Sequence, residues 1–415
     1  MKHLLLTILV FINTQLIIGQ EIIEWRGPGR TGVYNETGLL KEWPENGPKL
    51  LWAAENLHKG YSSVVIANNS IYTTGSNGTE DVLICLDMAG KLKWQVPYGR
   101  SWDGSYTESR CTPTIENERI YVSSGLGDIA CINANSGDII WSVKASEKFS
   151  GTYGRWGLAE SLLILGDKVF FTPGGNITTM VAFNKLTGKL IWQSESLKDE
   201  PSYVSPLLID RNGKKIIVTV TAKYIIGVLP DDGKILWKFD FGSLIDEGGR
   251  NNHTNTPLYE NGKIFVTSGY NHKCVMLNLS ENGQSVDIAW ISPVLDVHHG
   301  GVVKIGNHIY GSNWIDNRMG NWVCLDWETG EVKYETEWIN KGSVIAAEGN
   351  LYCYEEKTGN IALVKATPEK FDVISSFKVP LGTGPNWSHP LIKDGVLYIR
   401  HMDALMAYDI KANEK

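Results

Sequence analysis

Apolar and polar residues alternate in short runs along this chain, and two kinds of unit repeat in strict order. In one, an apolar strand, a two-residue polar turn and an aromatic-bearing strand follow each other. SSVVIANNSIYTTG, NTPLYENGKIFVTSG and SHPLIKDGVLYIR are examples. In the other, a strand leads through a glycine turn to an aromatic, as in LDMAGKLKW, INANSGDIIW, FNKLTGKLIW, VLPDDGKILW, LNLSENGQSVDIAW and LDWETGEVKY. A degenerate seventh copy, LVKATPEKFDVISSF, runs to Phe377. Asn-Gly and Asp-Gly between β-branched runs mark tight hairpins. Tyr72 and Tyr398 anchor eight copies, 326 residues apart over seven intervals, about 47 residues each.

Each copy thus supplies four strands, labelled A to D from the axis outward, which is one propeller blade. No apolar stripe of helical period and useful length competes with this reading. The eighth copy is split. AYDI (407–410) has no chain left for its strand D, while PKLLW (48–52) has no A, B or C before it. Pairing them closes the ring and removes two sheet edges. The expected fold is therefore all-β: an eight-bladed β-propeller of four-stranded antiparallel blades, closed by an N-terminal strand. Residues 21–47 form an extension ahead of the propeller at 48–415.

Composition narrows the setting. Apolar residues make up 42% and charged residues 20%, which supports a large core, and the net charge of −7 comes without basic runs. That balance argues against nucleic-acid partners and anionic membrane surfaces. Residues 1–20 carry Lys2, a short apolar run and a polar break, the pattern of a secretory signal peptide. The expected location is periplasmic or extracellular, with no transmembrane segment and a monomeric state. The six cysteines are neither adjacent nor in a CxxC pair, and four fall in expected strands where other repeats hold small residues. They read as free thiols packing as small hydrophobes, not as metal ligands.

The second unit resembles the tryptophan-docking repeat of pyrroloquinoline quinone (PQQ) dehydrogenases, and equally the repeats of the propeller lipoprotein in the outer-membrane barrel-assembly machinery. The opening WRGPGRTGVYNETGLLKEWPENGPKLLW, together with RWGLAESLLILGDKVFFTPGG, HHGGVV and WSHPLIKDGVLYIR, is similar to exported PQQ-like β-propeller repeat proteins. The resemblance covers residues 25 to 410 and implies the fold strongly. The chain departs from the quinone enzymes in lacking the adjacent cysteine pair that covers the quinone, and it has no CxxCH haem motif. It departs from the lipoprotein in having no cysteine before Cys85 to carry lipid.

Chemistry is expected on the face formed by the D–A and B–C connections. Of eight histidines after the leader, seven lie in or beside those connections, and only His308 lies in an A–B turn. The candidate ligand-binding residues are Arg110, Trp156, Glu160, Tyr203, Asn255, His272, His298, His299, Asn313, Trp314, Lys341, His389 and His401. In HHGGVV, adjacent imidazoles alternate faces on a regular strand, so one is axial unless Gly300 and Gly301 bend the chain. Glu160 reads either as a calcium ligand beside a Trp156 platform or as half of a Glu–Arg pair lining the channel.

Two functions follow. One is a non-catalytic binding or scaffold module with a polar funnel, taking a small polar or sugar-like ligand or an envelope protein and needing no cofactor. The other is a PQQ- and calcium-dependent oxidoreductase of alcohols, polyols or sugars. Binding of a carboxylated or polyhydroxylated ligand is expected to tighten as falling pH charges the histidines.

Overall fold

The computed structural model describes residues 22–412, so the expected signal peptide lies outside the described residues. Eight sheets, each built on four antiparallel strands A to D, form a ring. The first blade runs from Val65–Ala67 through Ser70–Ser76 and Glu80–Asp87 to Leu92–Arg100. The seventh ends at Asp372–Lys378. In the eighth, Leu391–Lys393, Val396–His401 and Ala404–Asp409 are completed by Lys49–Ala54, with Lys49 opposite Asp409 and Trp52 opposite Ala407. The split eighth repeat closes as its counting required.

The glycine–aromatic spacing has a packing cause. On strand D the aromatic of one blade lies over the C–D turn glycine of the next. A Cβ on Gly90 would stand 2.5 Å from the Trp52 ring, and one on Gly188 would stand 2.9 Å from Trp141. The same relation joins Trp94 to Gly137, Trp192 to Gly233 and Trp290 to Gly330. The glycines also hold positive φ, which only Gly adopts without strain. Several indoles then donate to the next blade, as Trp141 Nε1 does to the Lys185 carbonyl at 2.9 Å and Trp192 Nε1 to that of Pro230 at 3.0 Å. Where the chain breaks in blade eight, Gly47 fills the turn position, and a Cβ there would meet the Phe377 ring at 2.6 Å.

The cysteines follow from the same indoles. Cys85 pairs with Trp94, Cys131 with Trp141 and Cys324 with Tyr334, while Ala182 and Gly227 face Trp192 and Trp237. A small residue on strand C leaves room for the ring, and a bulge follows immediately in each of these pairings. All six thiols are free and buried. Five lie in strands, one more than expected; Cys111 stands just before blade two.

The N-terminal extension joins the ring. Ile22–Ile23 pairs with the innermost strand of blade two, Thr114–Glu116, and Val33–Tyr34 runs parallel to that of blade seven, Gly342–Ala347. Two sheets therefore have five strands, and one pairing is parallel. Both junctions are at the A–B turn ends of those strands. Residues 24–32 therefore enter and leave the central channel from the A–B face.

Candidate functional site

The extension makes the channel blind. Arg30 is buried and donates to the Ser161 and Leu162 carbonyls of blade three, 2.9 Å each, while its Nε pairs with Glu24 at 2.8 Å. Arg26 donates to Val302 O at 2.6 Å and Val344 O at 3.1 Å, and touches His389 Nδ1 at 2.6 Å. The two arginines thereby tie blades three, six, seven and eight together across the axis. Both hold left-handed φ, 63° and 56°, a strain tolerated because several contacts fix each residue. Gly301 is required here: a Cβ on it would lie 2.4 Å from the Arg26 guanidinium.

Above this floor is a cavity of about 270 Å³, open to the D–A/B–C face. Trp25 contributes to its lining; every other lining residue comes from a D–A or B–C connection. Arg110, Trp156, Tyr203, His298, His299 and His389 line it together although they come from different blades. Both histidines of HHGG line it. They precede the strand that begins at Val302, so strand alternation does not apply, and their rings stack at 3.5 Å.

One wall is a hydrogen-bonded relay. Tyr270 Oη lies 2.8 Å from His298 Nε2, and His298 Nδ1 lies 3.0 Å from Glu356 Oε2. Lys341 Nζ stands 3.1 Å from the other Glu356 oxygen. Burial opposes ionisation of Glu356, but His298 and Lys341 hold its carboxyl below the usual range. A second wall is aromatic. Trp387 packs against Tyr61 at 4.8 Å, Tyr106 at 5.3 Å and His299 at 4.7 Å. Tyr203 Oη accepts the backbone N–H groups of Arg155 and Trp156. Among the lining side chains Arg110, Arg250 and Lys357 are cationic, and Glu356 is the one carboxylate.

Other expected residues sit elsewhere. Asn255 is spent on the backbone, donating to Val297 O and accepting from Gly301 N. Asn313 likewise binds Val294 O, Glu335 and Asn321 N. His272 packs on Phe241 and His253, away from the axis. His401 faces the Leu381 and Gly384 carbonyls of a neighbouring loop. Trp314 stacks behind Tyr270 at 5.1 Å. Lys341 underlies the relay. The B–C turns do reach the cavity, but through Tyr270, Asn317, Glu356 and Lys357 instead. Sequence reasoning missed these and Trp25, Arg26, Tyr61, Tyr106, Arg250 and Trp387. Trp25, Arg26 and Trp387 stood inside the quoted WRGPGR and WSHP segments.

Glu160 does not line the cavity, and Arg30 acts on it only through its charge. Among the described residues it makes no ion pair; its Oε2 accepts the Thr172 N–H at 3.1 Å and Oε1 has no partner. Burial raises its pKa to about 8, against the Thr172 hydrogen bond and Arg30. The folded state thus holds a proton that the unfolded chain loses above the ordinary carboxylate range. Its contribution is present in acid and is lost as pH rises to about 8. Glu160→Gln is expected to gain on the order of 2 kcal/mol relative to wild type between about pH 5 and about pH 8. Guanidinium midpoints at the two values test this; an unchanged difference refutes the neutral carboxyl.

The expected pH trend meets an opposing effect at two of the histidines. Burial, then His298, Lys341, Arg110 and His389, hold His299 well below its ordinary value. Burial and Arg26 lower His389 to about 3. Both effects oppose charging of these imidazoles, and the lining's arginine and lysine side chains carry positive charge without them.

His298, His299 and Glu356 offer ligand atoms within 4.8 Å of one another. Two of the three, His298 and Glu356, are already joined in the relay, and Lys341 occupies the carboxylate's flank. Calcium takes six to eight oxygens. One lining carboxylate, engaged by His298 and flanked by Lys341, does not fit the calcium that accompanies a quinone.

The chain is similar to several known proteins. An uncharacterized Rickettsia conorii protein is 25% identical over 154 residues, 34% of this chain and 33% of that protein, so the match spans about a third of the relative's length. The outer membrane protein assembly factor BamB of Moranella endobia is 22% identical over 65% of this chain and 68% of its own. Among solved structures, BamB from Moraxella catarrhalis superposes with a TM-score of 0.64 at 13% identity, covering 87% of this chain and 99% of that one. A europium-containing methanol dehydrogenase gives 0.65 at 12%, covering 89% and 87%. At such identities the structures share the fold alone. Residues 78–336 match the family described as outer membrane protein assembly factor BamB, and the chain belongs to that family.

Proposed function

We propose that this protein is an exported binding module whose blind axial cavity takes a small anionic, ring-bearing ligand. The observation that carries this reading is the charge of the cavity. In a chain of net charge −7, the lining gathers Arg110, Arg250 and Lys357 against one carboxylate, and Lys341 offsets that carboxylate from behind. Aromatic faces beside these cations suit a ring carrying negative charge. Binding here needs no catalytic step. In the scaffold version an acidic loop of an envelope protein fills the same cavity, in keeping with the assembly role in the relatives' name. The quinone reading is less supported, because the donor set does not suit calcium.

Tryptophan fluorescence titration tests the reading, since Trp25, Trp156 and Trp387 line the cavity. Carboxylates, sugar acids, pyrophosphate and PQQ with and without calcium form the panel. At least one anion is expected to bind at low salt and to weaken as salt rises. It should weaken at least tenfold in Arg110→Gln/Arg250→Gln. Absence of any salt-sensitive binding across the panel sinks the proposal, and tight binding of PQQ only with calcium favours the oxidoreductase.

A further inference from the structure

We infer that the ligand is a sugar acid, one pyranose ring bearing a carboxylate, with a hydroxyl read by the Tyr270–His298–Glu356 relay. The inference rests on the anion reading above and deepens it. It starts from which half of each tyrosine hydroxyl remains free.

Glu356 is held ionised, so its Oε2 can only accept, and His298 Nδ1 must carry the hydrogen of their 3.0 Å contact. Where the imidazole carries only that hydrogen, Nε2 accepts and the Tyr270 O–H donates across the 2.8 Å contact. Tyr270 is left with oxygen lone pairs at the cavity wall. Tyr203 is the converse. Its oxygen accepts two backbone N–H groups, from Arg155 at 2.9 Å and Trp156 at 3.3 Å, so its O–H is the free function. The wall therefore presents a fixed acceptor and a fixed donor, both on lining residues. A carboxylate alone has no use for an acceptor, and an apolar acid would leave it unpaired at a cost. A ligand hydroxyl donates to Tyr270, while the carboxylate takes Arg110 and the Tyr203 O–H.

Two further observations support hydroxyls beside the charge. Asn252 Nδ2 and Trp387 Nε1 are buried polar atoms on the cavity lining with no protein partner. Both are donors. The Trp387 and Trp156 rings supply flat apolar faces for the C–H side of a sugar ring. At about 270 Å³ the cavity is at the small end of ligand pockets, which limits the occupant to about one ring.

Calorimetry on the full mature chain with five probes tests the inference: D-glucuronate, D-galacturonate, their neutral parents D-glucose and D-galactose, and cyclohexanecarboxylate, a ring acid without hydroxyls. One sugar acid is expected to bind at least tenfold tighter than its parent and than cyclohexanecarboxylate. Tyr270→Phe should remove the advantage over cyclohexanecarboxylate and leave the binding of that probe unchanged. Arg110→Gln should remove the advantage over the neutral parent. Near-UV circular dichroism confirms that each variant is folded, and Glu356→Gln, which removes the ionised acceptor beyond His298, is a second probe expected to behave like Tyr270→Phe. Equal affinity for cyclohexanecarboxylate and the sugar acids overturns the hydroxyl reading. So does a uniform loss in Tyr270→Phe. If none of the five binds while another anion of the fluorescence panel does, the sugar-acid inference fails and the anionic cavity stands; if no anion binds, both fall.

Discussion

A chain ending at Gly395 is expected to lose its cooperative unfolding transition. The truncation removes Val396–His401 and Ala404–Asp409, the second and third strands of blade eight. Leu391–Lys393 and Lys49–Ala54 then have no partner between them, because the sheet order places the lost strands there. The lost core includes Leu397, Ile399, Leu405, Met406 and Tyr408, all essentially buried. Each large apolar side chain contributes roughly 1.5–3 kcal/mol, so together they match the 5–15 kcal/mol that a whole domain typically has in hand. Arg400 goes too. It donates to Ser62 Oγ at 2.6 Å and His58 O at 2.9 Å, and also contacts Thr73 and the Thr74 carbonyl, fastening blade eight to blade one. The opened ring would expose the Trp52 and Gly90 faces that meet across the closure. Near-UV circular dichroism and calorimetric melting measure the outcome. A truncated chain that melts in one transition within a few degrees of the untruncated chain would show that closure does not hold the ring.

The ring was legible because its repeat obeys a local rule. A glycine turn, then an aromatic, recurs wherever one blade docks on the next, and the rule survives the chain break: Gly47 and Trp52 keep their roles at the other end of the sequence. Strand period and turn chemistry are short-range signals, so one chain pass reads them. The cavity obeys no such rule. Its residues stand in connections of differing length, and only ring closure brings Tyr61, Tyr203, Tyr270 and Trp387 together. The correct face could be inferred from the placement of unusual residues, but not the side chain within each loop. In the blade-six connection Asn313 turns back to hold Val294 and Glu335, and Asn317 reaches the cavity. In the blade-seven connection Glu355 caps its own turn through the Lys357 and Thr358 N–H groups, which leaves Glu356 to face the relay. The extension was invisible as a floor because its two-residue strands are too short to give a period.

Arg26→Ala is expected to lower stability by about 3 kcal/mol and to weaken any ligand of the cavity. Arg26 is a buried cation with no carboxylate partner among the described residues; carbonyls of blades six and seven and His389 Nδ1 solvate it. Truncation leaves the Val302 and Val344 acceptors buried beside a void, and an unmade buried hydrogen bond costs about 1–3 kcal/mol. Trp25 then loses the neighbour that sets the floor, since the Arg26 guanidinium lies 5.8 Å from the Trp25 ring and the Trp25 ring meets His389 edge-on at 5.1 Å. A double-mutant cycle separates this contact from general damage. Gly301→Ala places a Cβ 2.4 Å from the guanidinium and 3.0 Å from His389, at φ +65°. Two penalties therefore add in the wild-type background: backbone strain of about 1 kcal/mol and the collision with Arg26. In the Arg26→Ala background only the strain and the His389 contact remain, so Gly301→Ala should cost at least 1 kcal/mol less there. Guanidinium unfolding of the four proteins gives the coupling. Additive effects, with no coupling beyond about 0.5 kcal/mol, would show that the arginine does not pass beneath the HHGG bend and that the channel is not closed in this way.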